Sequence, residues 1–335
     1  MIPIRIAQFG LGPIGLETLR LAATKPWLRI VGGVDIDPKK VGRSIGELTG
    51  LASLDAPAVF PSVAELWHHA QPDVILHTAG SRAVAFFEQM REVVSRGASV
   101  ASTCEELIYP SLLAAELSQE FDALCQQHGA RVVGTGVNPG FVMDLMPAFL
   151  AGVAREVHGV SVRRVVNAST RRQPLQAKIG SGMEPEEFRR RFNDGRAGHA
   201  GFRQSVSLIA HVFGWALDEI VETCEPVIAD RPVRTGFFEV APGLTRGLHQ
   251  IAIGRSQGRE RIVLDLTMAL DEPDPHDHVR LESRPPLQLT LNGGVAGDDA
   301  TVAALINAIP RLLAAQPGLR LLSELPVAAP PQSSA

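Results

Sequence analysis

Only one tyrosine occurs among the 335 residues, aromatic residues make up 5% of the chain, and there are just three cysteines. Cys104, Cys125 and Cys224 cannot all pair, and none has a C-x-x-C partner. That excludes a disulfide framework and a cysteine-based zinc site, and it points to a reducing compartment. Basic charge is not in excess either: 32 Lys and Arg against 36 Asp and Glu leave a net −4. With no general cationic surplus to hold a phosphate backbone, nucleic acid is not an expected partner. Long apolar runs are also missing. The stretch 206–217 is short and broken by Ser207 and His211, so no membrane span is expected. Residues 1–7 lack the charged start, apolar core and cleavage site of a secretory leader. A cytoplasmic location follows as the expectation.

What is present is a 45% hydrophobic chain that can bury a sizeable core and is long enough for two domains. Up to about residue 135, short β runs (5–9, 29–34, 74–77, 99–101, 131–134) alternate with helical periodicity (13–24, 63–70, 83–96, 110–128). Such alternation predicts an α/β fold: a doubly wound, Rossmann-type parallel sheet built from right-handed crossovers. After Asn138-Pro-Gly the pattern becomes strand-dense (157–167, 222–229, 248–255, 261–269, 279–282, 287–292), with helices near 184–192 and 202–217. This predicts a second, α+β substrate domain with a mixed or antiparallel sheet. A helical stripe over 298–315 returns to the first domain. The expected division is therefore 1–140 with 298–325 for the nucleotide and 141–297 for substrate. The Pro-, Ala- and Ser-rich tail 325–335 is expected to fray.

Gly10-Leu-Gly12-Pro13-Ile14-Gly15 joins the first strand to the first helix. Glycine is needed there for a tight turn, for close approach of backbone to a pyrophosphate, and for helix–strand packing. The helix N-terminus attracts the anion, and Pro13 suits the first helical turn. Asp35 ends the second strand 20 residues beyond Gly15, where a carboxylate meets the adenosine ribose. Asp35 favours NAD, whereas Lys39, Lys40 and Arg43 offer a clamp for the extra phosphate of NADP; both cofactors stay open. Ligands of such sheets bind beyond the carboxyl ends of the strands. The loop Thr78-Ala79-Gly80 is expected beneath the nicotinamide, and Ser102, Thr103 and Cys104 complete the cofactor surface.

The adjacent carboxylates Glu105 and Glu106 follow directly. One reading makes them catalytic; the other makes them caps of a helix starting near Pro110. Cys104 has no base beside it in sequence and reads as a small packed residue. Asn138, Phe141, Val142 and Met143 follow the sixth strand and should border the substrate, with Asn138 equally readable as a turn former before Pro139. His199 and Phe202, at the start of a helix, are weaker pocket candidates. Between residues 155 and 203 there are eleven Lys or Arg against five Asp or Glu, an excess read chiefly as solvated faces and dimer contacts. His276-Asp277-His278 lies among prolines with no further ligand spacing; it reads as a loop, and no metal is expected.

The run Ser102-Thr-Cys-Glu-Glu-Leu with Tyr109-Pro110, Gly134-Thr-Gly-Val-Asn-Pro-Gly-Phe141, Gly297-Asp-Asp-Ala-Thr301, Asn307-Ala-Ile-Pro310 and Pro317-Gly318 resembles the dihydrodipicolinate-reductase-like proteins. Within them it is most similar to the 2,4-diaminopentanoate dehydrogenases and native amine dehydrogenases. The substrate region has no paired histidines (His68-His69 sit in the nucleotide half), and the chain lacks the Lys-x-Asp-x-Pro-Ser-Gly-Thr turn of the lysine-pathway reductase and the Glu-Lys-Pro of sugar oxidoreductases.

The resemblance implies reversible NAD(P)H-dependent reductive amination of a ketone or aldehyde with ammonia, and a homodimer formed through the second domain's sheet. It also implies a catalytic glutamate, Glu105 or Glu106, as general acid/base. It adds Asn167, Thr170 and Thr301 to the pocket. A carboxylate suits that chemistry because iminium formation moves protons on and off nitrogen and oxygen and creates a cation. The rival expectations are a diamine or amino-acid-like substrate and, in a different class, a non-catalytic NAD(P)-sensing protein.

Overall fold

The computed structural model describes residues 2–51 and 58–326. Two compact units emerge, one of residues 1–140 with 296–335 and one of residues 141–295. The first is a seven-stranded parallel sheet. In chain order its strands are β1 (Ile4–Phe9), β2 (Leu28–Val34), β3 (Val59–Phe60), β4 (Val74–His77), β5 (Ser99–Ser102) and β6 (Arg131–Gly134). The strand Gly318–Arg320 adds itself beside β6, giving the order 318–320, β6, β5, β4, β1, β2, β3. The crossovers carry α1 (Pro13–Ala23), α2 (Ile45–Thr49), α3 (Val63–His69), α4 (Ala83–Ser95) and α5 (Ala115–His128). Strands β4 and β5 are buried along their whole length, as expected of a sheet covered on both faces. The helix Gly297–Ala314 belongs to this unit and packs on α1.

The doubly wound sheet is thus the one expected from the alternation of periods. One expected helix, 110–128, is divided. Pro110–Leu112 forms a short 3₁₀ turn and α5 begins only at Ala115. Tyr109 and Ala114 both leave helical backbone angles (ψ 72 and 56), so the apolar stripe starts earlier than the α-helix does. The short elements α2 and β3 escape a periodicity reading because neither spans two helical turns or two strand repeats.

The second unit holds a six-stranded mixed sheet formed by β7 (Glu156–Asn167), β8 (Glu219–Ile228), β11 (Thr245–Ser256), β12 (Arg259–Ala269), β13 (His276–Arg284) and β14 (Leu287–Asn292). A two-residue hairpin of β9 (Val233–Arg234) and β10 (Glu239–Val240) stands apart. The order is β14, β13, β7, β12, β11, β8, and only β7 with β12 is parallel. The helix Phe202–Phe213 lies on one face: a Cβ at Gly254 would come within 2.7 Å of Val206 Cγ1. That helix stops at Gly214, whose φ of 66° ends it, four residues before the apolar pattern does.

His276, Asp277 and His278 are not a loop. They begin β13, where Asp277 is buried and takes two hydrogen bonds from Arg164 Nη1, at 2.7 and 2.8 Å. The same Asp277 accepts from the Val295 N–H, while Arg164 Nη2 donates to the Val295 carbonyl. Burial works to lower the Arg164 pKa and prevails over Asp277, which opposes it. The expected tail lies for the most part outside the described residues.

Candidate active site

Three of the glycines in the β1–α1 turn differ in what they are for. Gly10 has φ +84°, in the region that side chains avoid, and an added Cβ would meet Ala79 Cβ at 2.9 Å. At Gly15 a Cβ would lie 2.1 Å from the Gly10 carbonyl oxygen, so this position is glycine because helix and turn touch. Gly12 has nothing within 4 Å. It is the N-cap of α1, with no side chain capping the helix and Pro13 at its start. Open space beside the uncapped amides of a helix N-terminus fits an incoming pyrophosphate. Ile14 sits in the same first turn, its carbonyl taken by the Thr18 hydroxyl.

The turn is held from below by polar side chains. Buried Gln8 donates through Nε2 to the Gly10 carbonyl at 3.1 Å and to Thr78 Oγ1 at 2.9 Å, and the Thr78 hydroxyl donates to the same carbonyl at 2.8 Å. Thr78 therefore fastens the glycine turn. Gly80, also at positive φ, has open space where a side chain would stand.

Asp35 ends just past β2 with both oxygens engaged. Oδ2 accepts from Leu11 N at 2.7 Å and from Lys40 Nζ at 3.2 Å, and Oδ1 accepts from Asp37 N at 2.9 Å. Burial acts to raise its pKa, yet the donors at Asp37, Leu11 and Lys40 together hold the carboxyl below its ordinary value. Lys40 also lies 3.5 Å from Asp37. Of the three cations after Asp35, Lys40 is the one that reaches it. Arg43 turns instead to Glu47 at 2.6 Å, and Lys39 is exposed. Arg43 thus has a local, exposed partner in Glu47.

At the carboxyl end of β5 the two glutamates part company. Glu106 Oε2 accepts from the Ala83 N–H at 2.9 Å, and the Glu106 N–H donates to the Ser81 carbonyl. Ala83 opens α4, whose own N-cap residue, Arg82, supplies no side-chain bond. Glu106 is a helix cap after all, but of α4 and not of a helix at Pro110. The Glu105 carboxylate, half-buried, makes no hydrogen bond or ion pair among the described residues. Both stand in a 3₁₀ turn, Glu105–Ile108, pressed so closely on β6 that a Cβ at Gly134 would meet the Leu107 carbonyl carbon at 2.8 Å.

Ser102, expected on the cofactor surface, is instead wholly buried, its hydroxyl engaged inside the protein 2.9 Å from His77 Nδ1 and 3.0 Å from the Cys104 amide nitrogen. Thr103 N donates to the His77 carbonyl. Burial pushes the Cys104 thiol up to about 12, which removes it as a nucleophile at neutral pH. Asn138 is half-buried and precedes Pro139 across a cis peptide bond. Thr301 donates its hydroxyl to the Gly297 carbonyl within its own helix.

In the second unit, Val142 and Met143 are completely buried while Phe141 is 44% exposed. Asn167 Oδ1 caps the backbone at Ser169, and Thr170 is exposed. His199 is fixed through its backbone: Gln250 Oε1 accepts from its N–H at 2.7 Å and Gln250 Nε2 donates to its carbonyl at 2.9 Å. The same Nε2 donates to Glu222 Oε1 at 2.6 Å. Burial raises the Glu222 pKa against that bond and against nearby Arg203.

Gln8, His77 and Gln250 are not marked by the sequence motifs, and Lys40 is marked only for a phosphate, not as the partner of Asp35. For His77 a signal exists, a polar residue ending an otherwise apolar strand, where burial demands a partner; Gln8 and Gln250 lie in strands that carry other polar residues and stand out less. No group of three or more His, Cys, Asp or Glu able to hold a metal occurs among the described residues, and no helix there is long and apolar enough to cross a membrane.

A family model for the 2,4-diaminopentanoate dehydrogenase C-terminal domain matches residues 141–334. The chain belongs to that family. Among relatives of this 2,4-diaminopentanoate dehydrogenase family member, the 2,4-diaminopentanoate dehydrogenase of Acetoanaerobium sticklandii is 29% identical over 98% of this chain and 94% of its own length. The amine dehydrogenase of Streptomyces virginiae is 25% identical, covering 97% of this chain and 96% of itself. Among solved structures, amine dehydrogenase from Mycobacterium smegmatis superposes with a TM-score of 0.85 at 26% identity, over 97% and 96% of the two chains.

Proposed function

We propose that this protein is an NAD(P)H-dependent amine dehydrogenase with Glu105 as its general acid/base. The observation that carries the reading is the separation of the two neighbouring carboxylates: Glu106 is tied to the start of α4, and Glu105 has no protein partner among the described residues. A free carboxylate just beyond β5 lies at the strand ends where ligands of such sheets bind. The glycine turn with open space at Gly12 would hold the dinucleotide pyrophosphate, and Asp35 would meet its ribose. When bound, the nicotinamide supplies or accepts the hydride.

The rest of the chemistry falls to the protein. In the aminating direction Glu105 holds ammonium, takes a proton from it, and so frees ammonia to attack the carbonyl carbon. It then returns that proton to the departing hydroxyl as water leaves, and its negative charge stabilises the iminium. In the other direction the same carboxylate takes a proton from the water that hydrolyses the iminium. Asn138, Phe141, Val142, Met143 and His199 are retained as candidate substrate contacts.

A diamine or amino-acid-like substrate of the 2,4-diaminopentanoate type is the second reading, favoured by the family match. Free, buried thiols at Cys104, Cys125 and Cys224 support a reducing, cytoplasmic setting. The face of the six-stranded sheet opposite the helix Phe202–Phe213 carries half-buried Val221, Ile251, Ile253 and Val263, which supports a homodimer; sedimentation as a dimer is expected.

The test measures reduction of NAD⁺ and NADP⁺ with a simple primary amine and with 2,4-diaminopentanoate. Glu105→Gln should lower kcat by about 10²–10⁴ while keeping nucleotide affinity. Glu106→Ala should keep the rate and lower the unfolding midpoint, the loss of a cap being about 1 kcal/mol. Wild-type turnover by Glu105→Gln would overturn the assignment.

A further inference from the structure

Among the buried titratable side chains that the mechanism above leaves without a role, one lies beside the glutamate turn. His77, the last residue of β4, is 1% exposed. Its ring stacks on Phe9 with centroids 5.4 Å apart and lies perpendicular to Phe86 with centroids 4.9 Å apart. Its two nitrogens face two different polar groups, and those groups fix its proton. Gln89 Oε1 lies 2.9 Å from Nε2, and a carbonyl oxygen can only accept, so Nε2 carries the hydrogen. Nδ1 is then the acceptor, and the Ser102 hydroxyl at 2.9 Å donates to it. With its hydrogen committed to His77, Ser102 Oγ accepts from the Cys104 N–H at 3.0 Å. The bonds run in one direction, from the Cys104 amide through the Ser102 hydroxyl to the imidazole, while the ring's other nitrogen donates to Gln89. Burial lowers the His77 pKa to about 4, so the ring stays neutral and the direction of the chain is kept at working pH.

Cys104 is the residue before Glu105 and the N-cap of its 3₁₀ turn, and it supplies no side-chain cap of its own. His77 and Ser102 are paired across β4 and β5, and the Thr103 N–H is tied to the His77 carbonyl. Two successive amides at the entrance to the turn are therefore set by one residue of β4.

We infer that His77, acting through Ser102, is a positioning residue for Glu105: it fixes the peptide that aims the carboxylate and takes no part in proton transfer. This rests on the reading of Glu105 as the acid/base. An enzyme whose carboxylate is displaced by a fraction of an ångström still binds nucleotide normally but exchanges protons with its substrate poorly.

The experiment compares Ser102→Ala, His77→Leu and His77→Asn, each alone and the first also in a Glu105→Gln background. Turnover and NADH affinity are both measured. Asn is included because its carbonyl oxygen can stand where Nδ1 stands and accept from Ser102. Ser102→Ala and His77→Leu should lower kcat about ten-fold or more with NADH affinity unchanged, and His77→Asn should stay within about three-fold of wild type. In the Glu105→Gln background, Ser102→Ala should lower the residual rate no further, since there is no carboxylate left to aim. Wild-type kcat in Ser102→Ala, which removes one oxygen and should fold, overturns the inference. So does a multiplicative loss in the Glu105→Gln background, which would mean a general structural effect. Full activity in Glu105→Gln itself removes the acid/base reading and this inference with it, whereas a dead Glu105→Gln beside a normal Ser102→Ala removes the inference alone.

Discussion

Acidification should weaken the first unit through His77, by an amount its burial sets. An unfolded histidine titrates near 6.5, and the buried, neutral ring is lowered to about 4. A group depressed in this way takes up a proton on unfolding anywhere between those values. The unfolded state then binds more protons than the native state, and stability falls as pH falls. The window opens near 6.5 and closes near 4, with a slope approaching about 1.4 kcal/mol per pH unit. Between pH 7 and pH 5 the single site removes about 2 kcal/mol, a fraction that matters in a fold whose total is about 5–15 kcal/mol. The comparison is wild type against His77→Asn, which cannot titrate, so that every other ionisable group cancels. Urea unfolding at pH 7, 6 and 5, followed by tryptophan fluorescence in a Trp215→Phe background, confines the signal to Trp27 and Trp67, both of the unit that holds His77. The wild type should lose about 2 kcal/mol more than the variant across that range. Parallel curves for the two proteins would refute a buried neutral imidazole.

Two further outcomes follow from the geometry. Gly15→Ala places a methyl 2.1 Å from the Gly10 carbonyl, so it should lower both the unfolding midpoint and NADH affinity, whereas Gly12→Ala should fold normally and lose only nucleotide affinity, about ten-fold; equal NADH titrations for wild type and Gly12→Ala would show that no phosphate approaches there. Asp277→Asn leaves the Arg164 guanidinium buried without its carboxylate and should cost about 3–5 kcal/mol in chemical denaturation, while the Arg164→Met/Asp277→Leu pair should recover part of this but not all, because Val295 then loses partners for both its N–H and its carbonyl.

Much of this architecture was legible because the chain obeys the two periodicities closely. β4 and β6 run as expected at 74–77 and 131–134, since short buried strands bounded by polar turns admit few other readings. Glycines at 10, 12 and 15 marked the turn, though only coordinates separate the one that clears space for a ligand from the two that relieve contact. Glu105 and Glu106 were found as a pair and could not be divided, because the group that claims Glu106 is a backbone amide 23 residues away in sequence, and amides carry no letter in a sequence. Lys40, Lys39 and Arg43 are equivalent on paper for the same reason: which of them reaches Asp35 depends on how the chain turns after β2. The His276-Asp277-His278 reading failed where local composition, rich in proline, outweighed a strand whose evidence lies in its partner Arg164, 113 positions away.

The tie between Glu106 and α4 has a practical side. Anyone widening the enzyme's scope would randomise the short stretch around Tyr109 and the glutamates, expecting survivors to report on catalysis. At Glu106 the casualties would be of another kind: proteins whose fourth helix starts less securely, made in smaller amounts before any amine is offered. Both neighbouring acids would score low in such a library, one, on the proposed role of Glu105, because the reaction stops and the other because less enzyme is made. Counting soluble protein alongside turnover, clone by clone, tells the two apart.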